Sequence, residues 1–271
     1  MTEHILETAG LRKAFGELLA VDDVSVSIEK EGITAIIGPN GAGKTTFYNL
    51  LTGALKPTDG TIRFGGQDIT ADSPAQRVQR GLSRSFQTTN IFPNLTVRRN
   101  IRAPVIAGSK EKYNFVGSID EGSAVAERTR SILELFDLME LANEQVTSLS
   151  YGDKRRVEIG IAMATDPDLV LLDEPTAGMN PTERDVIIDL LLKLNEETDT
   201  SILITEHNMD LVYRLASRIL VLHEGTIIAD GTPNDIQTDK RVQNAYLGGE
   251  RSIDRSTARS PPDREGSPYL N

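Results

Sequence analysis

The sequence predicts an α/β protein: a largely parallel sheet flanked by helices, with further strands in its first third and a mostly helical insertion in its middle. Three observations predict it. Ile33–Ile37, Leu169–Leu172 and Ser201–Thr205 are short, mostly apolar runs of the kind found in strands covered on both faces. Helical patterns follow them, and strands alternating with helices imply parallel pairing. From about residue 88 to 165 the strand texture gives way to helical periodicity.

Each element has its own local reason. The first third reads as strands. In Leu18–Ile28, Val24, Val26 and Ile28 alternate with Ser25 and Ser27, the period of a half-buried strand. Ile33–Ile37 runs into a glycine-rich loop, and Lys44–Leu51 then reads as a helix stopped near Gly53. Val125–Met139 places Val125, Thr129, Ile132, Leu133 and Phe136 on one helical face. Residues 107–123, rich in Gly, Ser and charge, read as a surface loop. Ser150 heads a helix running to about Ala164. Arg184–Leu194, with Ile187, Leu190, Leu191 and Leu194 inward, and Met209–Ala216 are further helices. Ile219–Leu222 and Thr226–Ala229 form a hairpin across Glu224-Gly225. The charged, Ser/Pro-rich stretch 250–271 reads as a disordered tail behind a domain spanning 1–249.

Composition narrows the class of protein. A chain of 271 residues can bury a full core. It has no cysteine, which excludes disulfides and thiolate metal sites. A net charge of -11 opposes broad nucleic-acid binding, which needs a basic face. Its 20 Arg against 9 Lys, with 40 Asp and Glu, suit either a salt-rich cytoplasm or an ordinary acidic protein. No apolar run reaches the roughly 18 residues of a membrane span, and Met1-Thr2-Glu3-His4 does not open an export signal. A soluble, cytoplasmic protein is expected, with any membrane role exercised through partners.

Chemistry concentrates in five places. Gly38-Pro39-Asn40-Gly41-Ala42-Gly43-Lys44-Thr45, followed by Thr46, matches G-x-x-x-x-G-K-[ST] between a strand and a helix. Its backbone amides can curl around a β-phosphate at the positive end of the helix. Lys44 serves the β/γ-phosphates, and the Thr45 hydroxyl is placed to hold Mg²⁺. Asp173-Glu174 end an apolar strand, where parallel sheets present ligands. There Asp173 would organise Mg²⁺ and Glu174 would polarise an attacking water. His207, after the strand Ser201–Thr205, could meet the γ-phosphate or orient that water. Gln87, where the helical insertion begins, offers a neutral amide to Mg²⁺ or to water. Ser150-Tyr151-Gly152-Asp153 opens a helix, and its hydroxyl and amides make either a plain N-cap or a second anion site.

The order of these motifs resembles the nucleotide-binding subunit of ATP-binding-cassette (ABC) transporters over roughly residues 5–248. The resemblance implies an α/β fold, a P-loop NTPase core of ABC type with N-terminal antiparallel β strands and an inserted helical subdomain. Gly38–Thr45 then corresponds to the Walker A loop, Gln87 to the Q-loop, Leu149–Asp153 to the signature loop and Leu169–Glu174 to Walker B. Ala177–Asn180 falls at the D-loop, His207 at the switch histidine, and Phe15 where an aromatic ring stacks on adenine. Tyr151 and Asp153 depart from the usual Leu-Ser-Gly-Gly-Gln, and Asn180 stands where Asp is usual; Asn180-Pro181-x-Glu183 equally fits a helix cap.

The resemblance implies two cassettes closing head to tail over ATP and Mg²⁺, each nucleotide held by one subunit's Lys44 and covered by the other's Ser150 and Gly152. It implies transmembrane permease subunits, a second ATPase subunit (identical or related) and, indirectly, an extracytoplasmic solute-binding protein. The protein would lie peripherally on the cytoplasmic face of the membrane. Tyr151–Glu158, Phe86-Gln87-Thr88, Gly231-Thr232-Pro233 and Ala245–Gly248 are similar to the larger ATPase of branched-chain amino acid importers. The alternatives are an ABC ATPase serving another solute or lipid, or one with no transport role.

Overall fold

The computed structural model describes residues 3–85, 91–108 and 123–246. The chain opens with two long strands, β1 (His4–Phe15) and β2 (Leu18–Glu29), paired antiparallel. β3 (Ile33–Ile37) leaves that pair and leads through the glycine-rich loop into α1 (Lys44–Leu51). β4 (Asp59–Phe64) and β5 (Gln67–Asp68) complete an antiparallel sheet of order β2-β1-β4-β5. α2 (Pro74–Gln79) and β6 (Leu82–Ser85) come next, and then α3 (Val97–Gly108), α4 (Ala124–Leu135) and α5 (Tyr151–Met163). The α/β alternation resumes with β7 (Leu169–Asp173), α6 (Pro181–Glu197), β8 (Ser201–Thr205) and α7 (Met209–Leu215). β9 (Arg218–His223), β10 (Thr226–Gly231) and α8 (Pro233–Thr238) follow, and residues 240–246 are helical.

The second sheet has the order β10-β9-β3-β8-β7-β6, parallel throughout except for the β9–β10 hairpin. Its central strands are buried along their whole length, and alternate residues serve two different cores. Ile33, Ala35 and Ile37 of β3, Val170 and Leu172 of β7, and Ile202 and Ile204 of β8 face one core, shared with α3 to α7. Ile36, Leu171 and Leu203 face the other, shared with α1 and the antiparallel sheet. A period of two with apolar residues at both phases is why these strands read as continuous hydrophobic runs. Parallel register then places the carboxyl ends together: Asp173 lies opposite Thr205, and Thr205 opposite Ile36.

The structure corrects several expected boundaries. The helix expected over Val125–Met139 ends at Leu135; Asp137 takes a left-handed φ of 52°, so Leu138 reaches the core from a turn. α6 begins at Pro181, before the expected Arg184, because Asn180 and Glu183 form a reciprocal capping box ahead of it. α2 and α8 were not expected; each is a short helix behind a Ser73 or Thr232 capping box with proline next. Gln87, residues 109–122 and the tail 250–271 lie outside the described residues.

Candidate active site

The glycine-rich loop is shaped by where its backbone must go. Gly43 caps α1 at φ 102° with no side-chain cap bond, which leaves the first amides of the helix without an internal acceptor. Gly38 passes so close to the Leu222 carbonyl that a Cβ there would collide with it. Lys44 crosses this loop, its ammonium donating to the carbonyls of Gly38 (2.5 Å) and Pro39 (3.1 Å). Burial lowers its pKa, and the nearby charges of Glu174 and Asp173 oppose that shift. Thr45 and Thr46 lie in the first turn of α1, and Asn40, Gly41 and Ala42 line a cleft of about 650 Å³ that extends to Arg241 and Asn244.

α1 is anchored from below by Tyr48. Its fully buried hydroxyl donates to the carbonyls of Leu203 (2.7 Å) and Leu172 (3.3 Å), tying the phosphate-loop helix to β8 and β7. Burial, and then the charge of Asp173, raise the pKa of this phenol well above its ordinary value. Behind the loop, Tyr246 lies against the Gly38 backbone. Burial pushes its hydroxyl up to about 12, although the Gly38 amide pulls the other way.

Asp173 is 5% exposed and holds two hydrogen bonds. One oxygen accepts from the Thr205 hydroxyl at 2.5 Å, the other from Arg84 Nη2 at 3.1 Å. Glu174 follows with φ 45°, a left-handed turn uncommon for a residue with a side chain. Its amide donates to the Thr205 carbonyl and hydroxyl, both at 3.1 Å, which pins this turn to the end of β8. His207 Nδ1 stands 3.7 Å from Glu174 Oε1, beyond hydrogen-bond reach but within ion-pair range. The structure therefore brings Lys44, Asp173, Glu174 and His207 to one edge of the parallel sheet. Phe15 closes β1, is 47% exposed as a residue and has the Lys13 ammonium 5.2 Å from its ring centre, so it is no core residue.

Ser150 and its neighbours are arranged differently. The Ser150 hydroxyl caps α5, accepting from the Asp153 amide at 3.1 Å and donating to the Asp153 carboxylate at 2.7 Å. The Asp153 carboxyl sits below its ordinary value: burial pushes it up, but the bonds from Ser150 and Arg156 outweigh that. Gly152 packs beside the Glu183 side chain, and Tyr151 donates to the Ala177 carbonyl at 3.1 Å. None of the Ser150 hydrogen bonds reaches the phosphate loop.

Sequence reasoning missed the arginines. Arg84 bridges Asp173 to Asn49 (2.7 Å) on α1. Arg155, 9% exposed, donates to the carbonyls of Asp173, Glu174 and Pro175. Bonds to backbone carbonyls in a distant segment leave no periodic trace; the only signal was a charged residue inside the α5 pattern. The hard oxygen donors Thr45 and Asp173 suit Mg²⁺. Each Asp173 oxygen carries a single hydrogen bond and keeps lone pairs for a metal-bound water. Among the described residues, no cluster of three or more His, Cys, Asp or Glu could hold a metal ion by itself, so Mg²⁺ would depend on the phosphates as well.

Comparison with known proteins agrees with this geometry. A family model for the ABC transporter matches residues 21–177, and one for the branched-chain amino acid ATP-binding cassette transporter matches residues 226–252. The chain is 39% identical over 257 residues to the high-affinity branched-chain amino acid transport ATP-binding protein LivG of Escherichia coli K12, covering 92% of this chain and 99% of LivG. The crystal structure of MJ1267 in its ADP conformation, an ATP-binding cassette of an ABC transporter, superposes with a TM-score of 0.81 at 35% identity, covering 91% of this chain and 100% of that one. The dimeric post-hydrolysis cassette MJ0796, bound to ADP and Pi, superposes with a TM-score of 0.70 at 26% identity, over 84% and 99%. The family model spans more than half of the chain and the relative nearly all of it, so the chain belongs to the ABC transporter family, as one of its ATP-binding, ATP-hydrolysing cassettes.

Proposed function

We propose that this cassette energises the import of branched-chain amino acids, with each ATP held between two cassettes docked on transmembrane permease subunits at the cytoplasmic face of a membrane. A solute-binding protein on the other side would deliver the amino acid. Residues 1–249 act as one cassette, with the helical insertion of about 88–165 carrying the signature loop. The observation that carries this reading is the division of the site. Lys44, Asp173, Glu174 and His207 converge on one sheet edge, while Ser150 and Gly152 head another helix with purely local bonds. On this reading the second helix start serves a nucleotide held by the neighbouring chain. The near-complete overlap with LivG supports the solute class. Among the described residues no helix is long and apolar enough to cross a membrane.

The residues divide the work as follows. Phe15 presents an exposed ring for the adenine. Amides from Gly41 to Thr46 hold the β-phosphate, and the Lys44 ammonium swings from the Gly38 and Pro39 carbonyls to the γ-phosphate. Thr45, Gln87 and Asp173, the last through a water, would hold Mg²⁺, which would neutralise phosphate charge. The left-handed turn at Glu174 aims its carboxylate at the water, whose proton it accepts, with His207 beside it steering the γ-phosphate. Ser150 and Gly152, with Tyr151 and Asp153 shaping their loop, cover the neighbour's γ-phosphate. Binding closes the dimer, hydrolysis opens it, and the permease follows.

Glu174→Gln tests the site. It is expected to slow hydrolysis by about 100-fold or more, in the range of a lost general base, while keeping ATP affinity. With ATP it should elute as a dimer in size-exclusion chromatography. Unchanged turnover would remove Glu174 as the base, and a strictly monomeric loaded variant would remove the shared site. For the solute, the complex purified from membranes and placed in proteoliposomes should accumulate labelled leucine in an ATP-dependent way. Uptake of none of leucine, isoleucine and valine would refute that assignment.

A further inference from the structure

α5 is clamped to the strand end that carries the catalytic carboxylates. Arg155 lies just past the first turn of this helix, and its guanidinium donates to three successive carbonyls: Nη2 to Asp173 (3.0 Å) and Glu174 (3.1 Å), Nε to Pro175 (2.9 Å). Its remaining nitrogen, Nη1, is held by Glu158 at 2.7 Å, so the fork is fixed from its own helix. One turn earlier, Tyr151 reaches the Ala177 carbonyl. Four of the five carbonyls from Asp173 to Ala177 are thereby held by side chains of α5. β7 ends at Asp173, so these groups lie largely beyond the sheet ladder that would otherwise fix them.

The helix so anchored is the one that begins with Ser150 and Gly152. We infer that Arg155 is a positioning residue that couples the two nucleotide sites of the dimer. When Ser150 and Gly152 of one chain grip the neighbour's γ-phosphate, any shift of α5 is carried through Arg155 to the backbone of its own Asp173 and Glu174. Each site then signals its occupancy to the catalytic base of the other. Arg suits this task and Lys does not: a planar fork can hold three carbonyls and a carboxylate at once, an ammonium cannot. The inference rests on the shared-site reading above.

The test compares full-length wild type with Arg155→Gln, Arg155→Lys and Tyr151→Phe. The readouts are steady-state hydrolysis, equilibrium binding of a fluorescent ATP analogue, and circular dichroism to confirm folding. For both Arg155 variants kcat is expected to fall about tenfold or more, nucleotide affinity to stay within about twofold, and the Hill coefficient for ATP to drop toward 1. Tyr151→Phe, which removes one bond of the four, should lower kcat by about two- to fivefold in the same pattern. If Arg155→Gln does not fold, Arg155→Lys and Tyr151→Phe decide the question. A kcat within about twofold of wild type in a folded Arg155 variant would overturn the proposal, as would a lower kcat with an unchanged Hill coefficient or a wild-type coefficient of about 1. Glu174→Gln separates the two readings: if it forms the ATP-loaded dimer while Arg155 variants behave as wild type, only the coupling fails.

Discussion

The phosphate loop and the signature loop are both helix starts, yet they treat their amides in opposite ways. Gly43 begins α1 in a left-handed conformation with no side-chain cap, so no capping side chain competes for the first amides of the helix. Ser150 begins α5 with its own hydroxyl on the Asp153 amide and Asp153 returning the bond. The first start is an open site held from two sides: Tyr48 ties α1 to β8 from below, and the Leu222 carbonyl lies against Gly38. The second is capped by its own neighbour, and on the proposed reading a phosphate held by the other cassette would engage its hydroxyl. The difference teaches that two helix starts in one chain can be open or closed to a ligand, according to whether a glycine or a serine stands at the cap.

The predictions press on that contrast. Lys44→Ala removes the charge partner of the open start and should weaken ATP binding by about 3 kcal/mol or more, roughly two decades in Kd by calorimetry. Near-normal affinity would mean that the amides alone suffice. Gly43→Ala forces a Cβ toward the Ala20 carbonyl at φ 102° and should cost about 2 kcal/mol of stability, read as a lower urea midpoint together with lost nucleotide binding. Ser150→Ala should remove about 1 kcal/mol of helix capping. It should leave ATP binding by the isolated chain intact and abolish the ATP-loaded dimer of the Glu174→Gln background. A loss of monomer affinity would place Ser150 on its own chain's nucleotide and erase the contrast.

The smallest expected effect is a pH dependence. The Asp153 carboxyl is held below its ordinary value of 3.8, so its contribution to folding is complete above that value and is lost as pH falls through the lowered one. Asp153→Asn should therefore lower the melting temperature slightly at neutral pH and flatten its fall below about pH 4. Parallel acid limbs for both proteins would show that the Ser150–Asp153 cap adds nothing.

The elements that position chemistry were legible because their signals are local. Ile33–Ile37, Lys44–Leu51 and Ser201–Thr205 stand where their patterns put them, since burial on both faces and an N-terminal glycine loop are written in adjacent residues. The end of the helix after Val125 was not legible. Phe136 and Leu138 are both apolar and both buried, and only the left-handed turn at Asp137 shows that the second reaches the core from outside the helix. Asn180 proved a capping residue, as one of its two sequence readings had it.

By itself, then, the sequence determined the strand–loop–helix order and the motif of the phosphate loop, because each rests on neighbours along the chain, and it pointed to Asp173, Glu174 and His207 as residues that follow apolar strands. Only the tertiary structure decided which side chains hold that chemistry in place. Arg84, Arg155, Tyr48 and Thr205 act on it from other elements, through hydrogen bonds to carbonyls and carboxylates that folding brings near. A hydrogen bond depends on distance and angle in space, and no spacing along a chain records either.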